Sequence, residues 1–534
     1  MRYFPIIIRE PPSKKYTNIN GRHAVMIDTT GNMLQENPLV TTDVPSSALA
    51  IQSERMSGDR QLGQPSLHQP QTPKNLQGRA ANPAFPQRTY KSPWRWISVL
   101  FLTKGVISAV MMYAALVLFK RMGVNNSSIT FFTAWLMLPL VLRPILTIFV
   151  QPGRRNKTVI LLSEILAALS VAGVAYSLEG ESWLEGALFF FWSISIIDIF
   201  NDIATDKYCV KTVAYQYKAS VRTYKLLFYR LAMLVVLGIL MMIGGNLEVI
   251  TRSVSSSWSI TFYLASGIIL LLVLVQAILL PRFRSTNRER KVPMADMFYA
   301  FLNTNADLIR TPRSWPGGLF LALFLVPLAL LSRISILFFL DLGSSGGLSL
   351  SPQELGLTQG TIGVFGTIAG FVAGEKLIRR FGQKKMLLFM AAANTIPGLI
   401  YIHLSYALPD NLSWISLCSF VQQVAFGFSF CGYYHFMIYY CEVKQFSTYS
   451  LCKGLTAAAI MIPVMVSGSI QQTMGYRMFF IFVTISSLIT MIVSLIVMAD
   501  HDLGMKKRSF VDKNGWNNPR REPTPKSVAP KQKL

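Results

Sequence analysis

WLEGALFFFWSISIIDIFNDIATDKY, residues 183–208, is an apolar run interrupted by three aspartates. A helix rises about 1.5 Å per residue, so about 20 apolar residues span the hydrocarbon of a bilayer. Asp198, Asp202 and Asp206 follow one another at four-residue steps, which places them along one stripe of that helix. A carboxylate in a span costs several kcal/mol on most scales and survives on an interior or wet face. A membrane helix with a polar interior stripe is therefore predicted, and a soluble domain is excluded.

Working outward, similar runs lie near 96–119, 127–150, 158–178, 221–244 and 258–280. After a polar stretch they resume near 317–340, 354–374, 386–406, 412–440, 449–471 and 476–499. With 183–206 this makes twelve predicted spans, so the fold class is an all-α membrane protein of two six-helix bundles. The composition agrees: 51% of the 534 residues are hydrophobic and only 14% charged, against about a quarter charged in soluble proteins. The predicted organisation is a disordered, proline-rich tail over 1–91, a first bundle over 94–281 and a basic linker over 282–316. A second bundle over 317–500 and a basic tail over 501–534 complete it. Within the linker, MADMFYAFLNTNADLIRT reads as an amphipathic helix on the membrane surface.

The net charge of +25 fits an orientation rule better than a nucleic-acid partner, because cytoplasmic loops gather Lys and Arg. With the N-terminus inside, the inner loops hold 19 basic residues and the outer loops four. Both termini are predicted cytoplasmic. Cys209, Cys418, Cys431, Cys441 and Cys452 form no CxxC pair and no zinc spacing, so neither metal nor disulfide framework is expected. A membrane-embedded transferase would need a DDxxD or a phosphate-binding loop, and neither occurs.

The remaining intramembrane ions suggest pairings. Lys225 or Arg222, at the start of the fifth span, would meet Asp206 across an antiparallel hairpin. Arg230, deeper in that span, would meet Asp198 or Asp202. Arg143 and Glu164 lie at equal depth on consecutive spans and would form a structural salt bridge. Lys104 and Arg333 have no evident partner, and with Gln422, Gln423 and His435 they are candidates to hold an anionic solute. In GEKLIRRFGQKK, residues 374–385, Glu375 would cap a neighbouring helix or pair with Arg379 and Arg380 in a tight loop. Its first-half counterpart VQPGRRNK, residues 150–157, keeps Gly153, Arg154 and Arg155 and lacks the acid. Gly363, Gly366, Gly370 and Gly374 form a smooth seam for close helix packing.

LPLVLRP (138–144), DIATD (202–206), VRTYKLLFYRLAM (221–233) and SGSIQQTMGYRMFF (467–480) carry a more specific likeness. Over residues 94–500 the chain resembles the AmpG-like branch of the major facilitator superfamily, typified by bacterial inner-membrane muropeptide permeases. It departs from that branch at Lys207, where glycine is usual, and at Lys104, near which an acid is common. The resemblance implies a monomeric secondary transporter of the inner membrane, without cofactor, powered by the proton gradient. It also implies a central cavity lined by helices 1, 4, 7 and 10. Asp198, Asp202, Asp206 and Arg230 are the expected proton-coupling set, and a small anionic solute such as a sugar-peptide or a chelate the expected cargo. The alternative is a transport-inactive sensor or scaffold with the same fold.

Overall fold

The computed structural model describes residues 94–149, 156–213, 218–281, 298–299, 315–442 and 446–498. The tails at 1–91 and 501–534, the loop with Gly153, Arg154 and Arg155, and the side chain of Arg222 lie outside the described residues. So does all but a few residues of the linker and its amphipathic segment. Among the described residues there is no strand.

In chain order the spans are α1 (Trp94–Arg121), α2 (Asn126–Val141 and Arg143–Phe149), α3 (Asn156–Ser177), α4 (Trp183–Thr212) and α5 (218–251). They continue as α6 (Val254–Leu279), α7 (Trp315–Leu340), α8 (Pro352–Phe381), α9 (Gln383–Ala407) and α10 (Leu412–Glu442). Phe446–Met498 is one hydrogen-bonded run, but Gly475 has φ 74° and divides it into α11 (446–474) and α12 (476–498). A left-handed φ is cheap only for glycine, so the chain reverses there. With the run divided at Gly475 and the bent pair of α2 taken as one span, the described residues form twelve spans. Span α7 begins at Trp315, inside the stretch the sequence assigns to the linker.

Prolines account for the irregular spans. In α2 the axis bends by 47° between Val141 and Arg143. Pro139 and Pro144 flank that bend, and each removes a backbone donor. Pro327 and Pro397 likewise start the second segments of α7 and α9. Among the described residues three wide π-helical turns have no proline: Val110–Ala114 in α1, Leu234–Leu240 in α5 and Gly356–Ile362 in α8. Such turns re-aim side chains and recur at functional sites.

Within the first half α3 packs on α4 and α6, and α1 on α5; within the second, α8 packs on α10 and α7 on the run that holds α11 and α12. The glycine seam of α8 faces α10, as the spacing predicts. At Gly370 a Cβ would collide with the Val424 carbonyl oxygen. The halves meet along two further seams, α2 against α11 and the π turn of α5 against that of α8. At the second of these, a Cβ on Gly360 would strike the backbone of Leu237. Outward faces of α3, α6 and α12 present Leu162, Leu271, Ile278, Ile485 and Ile492 in the open. Apolar surface of that extent is covered by lipid in a multi-pass membrane protein.

Candidate functional site

The stripe on α4 sits where five helices converge. Asp202 forms ion pairs with Lys104 of α1 and Arg143 of α2, and Lys453 of α11 reaches it at 3.2 Å. Asp206 is bound by Arg143 at 2.7 Å, Lys225 of α5 at 2.7 Å and Lys453 at 2.8 Å. Two buried carboxylates thus share four cations, and one of those cations, Lys453, comes from the other half. Beside them Thr147 of α2 and Ser450 of α11 share a hydrogen bond of 2.7 Å.

At the opposite end of the bundle a second buried cluster joins the halves. The Asn126 amide of α2 donates to Asp341, the residue that follows α7, at 2.8 Å, Gln471 of α11 at 3.0 Å and Tyr476 of α12 at 3.1 Å. Lys120 of α1 pairs with Asp341 and donates to Asn126 at 2.8 Å. The Tyr476 hydroxyl also donates to Asp341. Ser127 and Ser469 hydrogen-bond at 2.7 Å across the same seam.

Between the two clusters lies a cavity of about 90 Å³. Each π turn contributes to its wall, through Tyr113, Leu237 and Gln359. Arg230 of α5, Ser332 and Ser335 of α7, Thr367 of α8 and Gln422 and Gln423 of α10 supply the other polar groups. Gln422 and Gln423 donate to Gln359 at 3.3 and 3.0 Å. Arg230 makes no ion pair among the described residues. Its guanidinium lies over Phe426 and Phe430 of the other half, 5.3 and 5.5 Å from their ring centres. Arg333 of α7 answers in the reverse sense, 5.2 Å over Tyr113 of the first half. Stacking on a ring leaves most guanidinium donors free for an anion.

Solved transporters share this architecture. The nucleoside transporter NupG is similar with a TM-score of 0.54 and 13% identity, over 76% of this chain and 98% of that one. A POT-family transporter in complex with 5-aminolevulinic acid gives 0.56 and 9%, over 76% and 95%. A bacterial homologue of the human lysosomal transporter Spinster, inward-facing and unoccupied, gives 0.51 and 12%, over 76% and 95%. The fold is that of the major facilitator transporters. In sequence, a putative transporter AmpG 2 from Rickettsia prowazekii (strain Madrid E) is 24% identical over 185 residues, 34% of this chain. The chain spans 44% of the length of that curated relative. No family model matches.

Within the major facilitator fold several sequence expectations change. Arg143 does not meet Glu164. The bend in α2 turns it toward α4, and Glu164, fully buried, accepts instead from Asn201 at 3.4 Å. Lys104 is not free but tied to Asp202. Arg230 meets neither aspartate. It lies five residues beyond Lys225, which is about 140° around a helix, so the register that joins Lys225 to Asp206 points Arg230 elsewhere. Asp198 also leaves the stripe, since two four-residue steps rotate it about 80° from Asp206; it accepts from Ser108 of α1 at 3.0 Å. Arg333 stands beside Tyr113 and is not part of the cavity wall.

His435 is far from the cavity wall and bonds Glu375 at 2.5 Å. Glu375 lies inside α8, not in the loop, so it caps no neighbouring helix; it pairs with Arg379 at 2.8 Å. Arg380 stacks on its neighbour Phe381. The turn that follows is made by Gly382, φ 86°. Lys453 escaped the sequence reading, although a lysine four residues into the 449–471 span was a sign of a buried acid nearby. Lys120, Asn126, Asp341 and Tyr476 escaped it because they sit at span ends, where polar residues are ordinary.

Proposed function

We propose that the chain is a secondary transporter working by alternating access between its halves, 94–281 and 317–500, driven by protons. The supporting observation is the arrangement of three polar layers across the interface. Lys453 ties the second half to Asp202 and Asp206 of the first. Asn126 and Lys120 tie the first half to Asp341 of the second. The cavity lies between, so the conformer is closed at both ends. Opening at the α4 end requires Lys453 to part from both carboxylates. Protonation of Asp202 or Asp206 removes the charge that holds Lys453, which links proton entry to opening.

The cargo is a small anionic solute, of the sugar-peptide or chelate kind. Arg230 supplies a cation without a carboxylate partner among the described residues, the three glutamines supply amide donors and acceptors, and Phe426 offers an aromatic face. A cavity of 90 Å³ is smaller than the roughly 300–1,000 Å³ of ligand pockets. The solute therefore enters an opened conformer. The inner-loop charge supports cytoplasmic termini in a bacterial inner membrane, and a monomer suffices because both halves lie in one chain. Lys104 and Arg143 act in the gate in this reading, and Asp198 is a further proton acceptor facing Ser108.

The test is uptake by proteoliposomes carrying an internal pH dye, challenged with a panel of anionic sugar-peptides and chelates. The parent chain should couple proton entry to uptake of one class, and Asp202→Asn should lose pH-driven uptake. Equal uptake by Asp202→Asn under the same gradient would remove the proton role. Proton-independent silence across the panel in the parent, with ligand-induced stabilisation alone, would favour a sensor.

A further inference from the structure

We propose that Glu375, Cys431 and His435 form a binding site for a zinc-class divalent metal at the end of α8 and α10. Cys431 and His435 are four residues apart on α10 and so share one face of it. Glu375 meets that face from α8. A carboxylate oxygen, the thiol sulfur and an imidazole nitrogen all lie within 4.8 Å of one another. Zinc bonds of about 2.0–2.3 Å to N, O and S donors need only slightly closer spacing. The ligand set is the borderline-soft mixture that favours zinc over calcium or magnesium.

The surroundings fit a bound cation. Gly374 leaves room for the thiol: a Cβ there would lie 2.9 Å from the Cys431 Cβ and 3.1 Å from its sulfur. Arg379 donates to Glu375 Oε1 at 2.9 Å and leaves Oε2 facing His435. That is the orienting role that outer groups play around metal ligands. The Arg379 side chain is 72% exposed, so its charge stays in solvent and is screened from the metal. The His435 side chain is 28% exposed, which gives the metal an entry and an open position for water. Binding would replace the His435–Glu375 hydrogen bond with two metal bonds; the neutral imidazole would then carry its proton on Nδ1, and the thiol proton would be released to solvent. Because its ligands come from helices of one half, the metal would clip α8 to α10 and leave the gates free. The sequence hid the site because Glu375 is 56 residues from Cys431.

The experiment uses the full chain, purified in detergent, stripped with a chelator and then loaded with Zn²⁺ or Co²⁺. About one metal per chain should remain after gel filtration. The cobalt form should show a thiolate-to-metal charge-transfer band that Cys431→Ser abolishes, and His435→Gln should weaken zinc binding at least tenfold. His435→Gln, at a partly exposed position, serves alone if Cys431→Ser does not fold. No retained metal, or a band and stoichiometry unchanged in the variants, would overturn the proposal.

Discussion

Charge balance in the α4 cluster makes Asp206→Asn and Lys453→Met unequal. Asp206 holds Arg143, Lys225 and Lys453, each within 2.8 Å. Asparagine keeps its shape but leaves four cations around Asp202 alone. Removing one member of a buried ion pair costs about 3–5 kcal/mol, because the partner's charge stays buried and uncompensated. Lys453→Met instead lowers the excess of cations from two to one. It deletes two charge-assisted hydrogen bonds, each worth about 1.5–3 kcal/mol. It also ends the burial of an ammonium, which offsets most of that loss, so a net change within about 1 kcal/mol is expected. Thermal unfolding in detergent, followed by fluorescence of the native tryptophans, measures both. Asp206→Asn should lower the midpoint several degrees more than Lys453→Met, and the double variant should recover part of the Asp206→Asn loss. A Lys453→Met loss equal to that of Asp206→Asn, or no recovery in the double variant, would refute the shared-charge picture.

Other outcomes follow from the same geometry. Arg230→Ala should raise the half-saturating concentration of the transported anion at least tenfold, with Arg230→Lys in between, since lysine keeps the charge but loses the fork and the stacking; uptake titrations read this directly. Gly370→Leu should cost at least about 1–3 kcal/mol by overpacking α8 against the α10 backbone, visible as a lowered unfolding midpoint without any charge change. Asn126→Ala should free the end that carries Asp341, so a cysteine placed at Ser469 should react faster with a membrane-impermeant maleimide than in the parent.

Much of the architecture was legible because a bilayer enforces it. Span length and the proline and glycine breaks are local properties, and Gly475 falls inside the predicted gap between the last two spans. The α4 aspartates were legible as well, since charge in an apolar run is conspicuous. Their partners were not. Depth along a helix is read from sequence, but the direction a side chain takes around the axis is not, and that angle separates Arg230 from Asp202 and Arg143 from Glu164. Bends and π turns shift it further: α2 turns at its proline pair, and Tyr113 and Gln359 reach the cavity from π turns that no residue pattern marks. Contacts between the halves were least legible. Lys453 and Asp206 are 247 residues apart, and only packing brings them together.

Reciprocal motion at the two ends is best measured by double electron–electron resonance on spin-labelled pairs along the α2–α11 seam. One pair is Thr147→Cys with Ser450→Cys, the other Ser127→Cys with Ser469→Cys, each in a background lacking the native cysteines. Both parent pairs touch at 2.7 Å in the closed conformer. Acidification, or Lys453→Met, should lengthen the 147–450 distance while 127–469 stays short, and Asn126→Ala should do the reverse. Both distances lengthening together, or neither responding, would contradict alternating access.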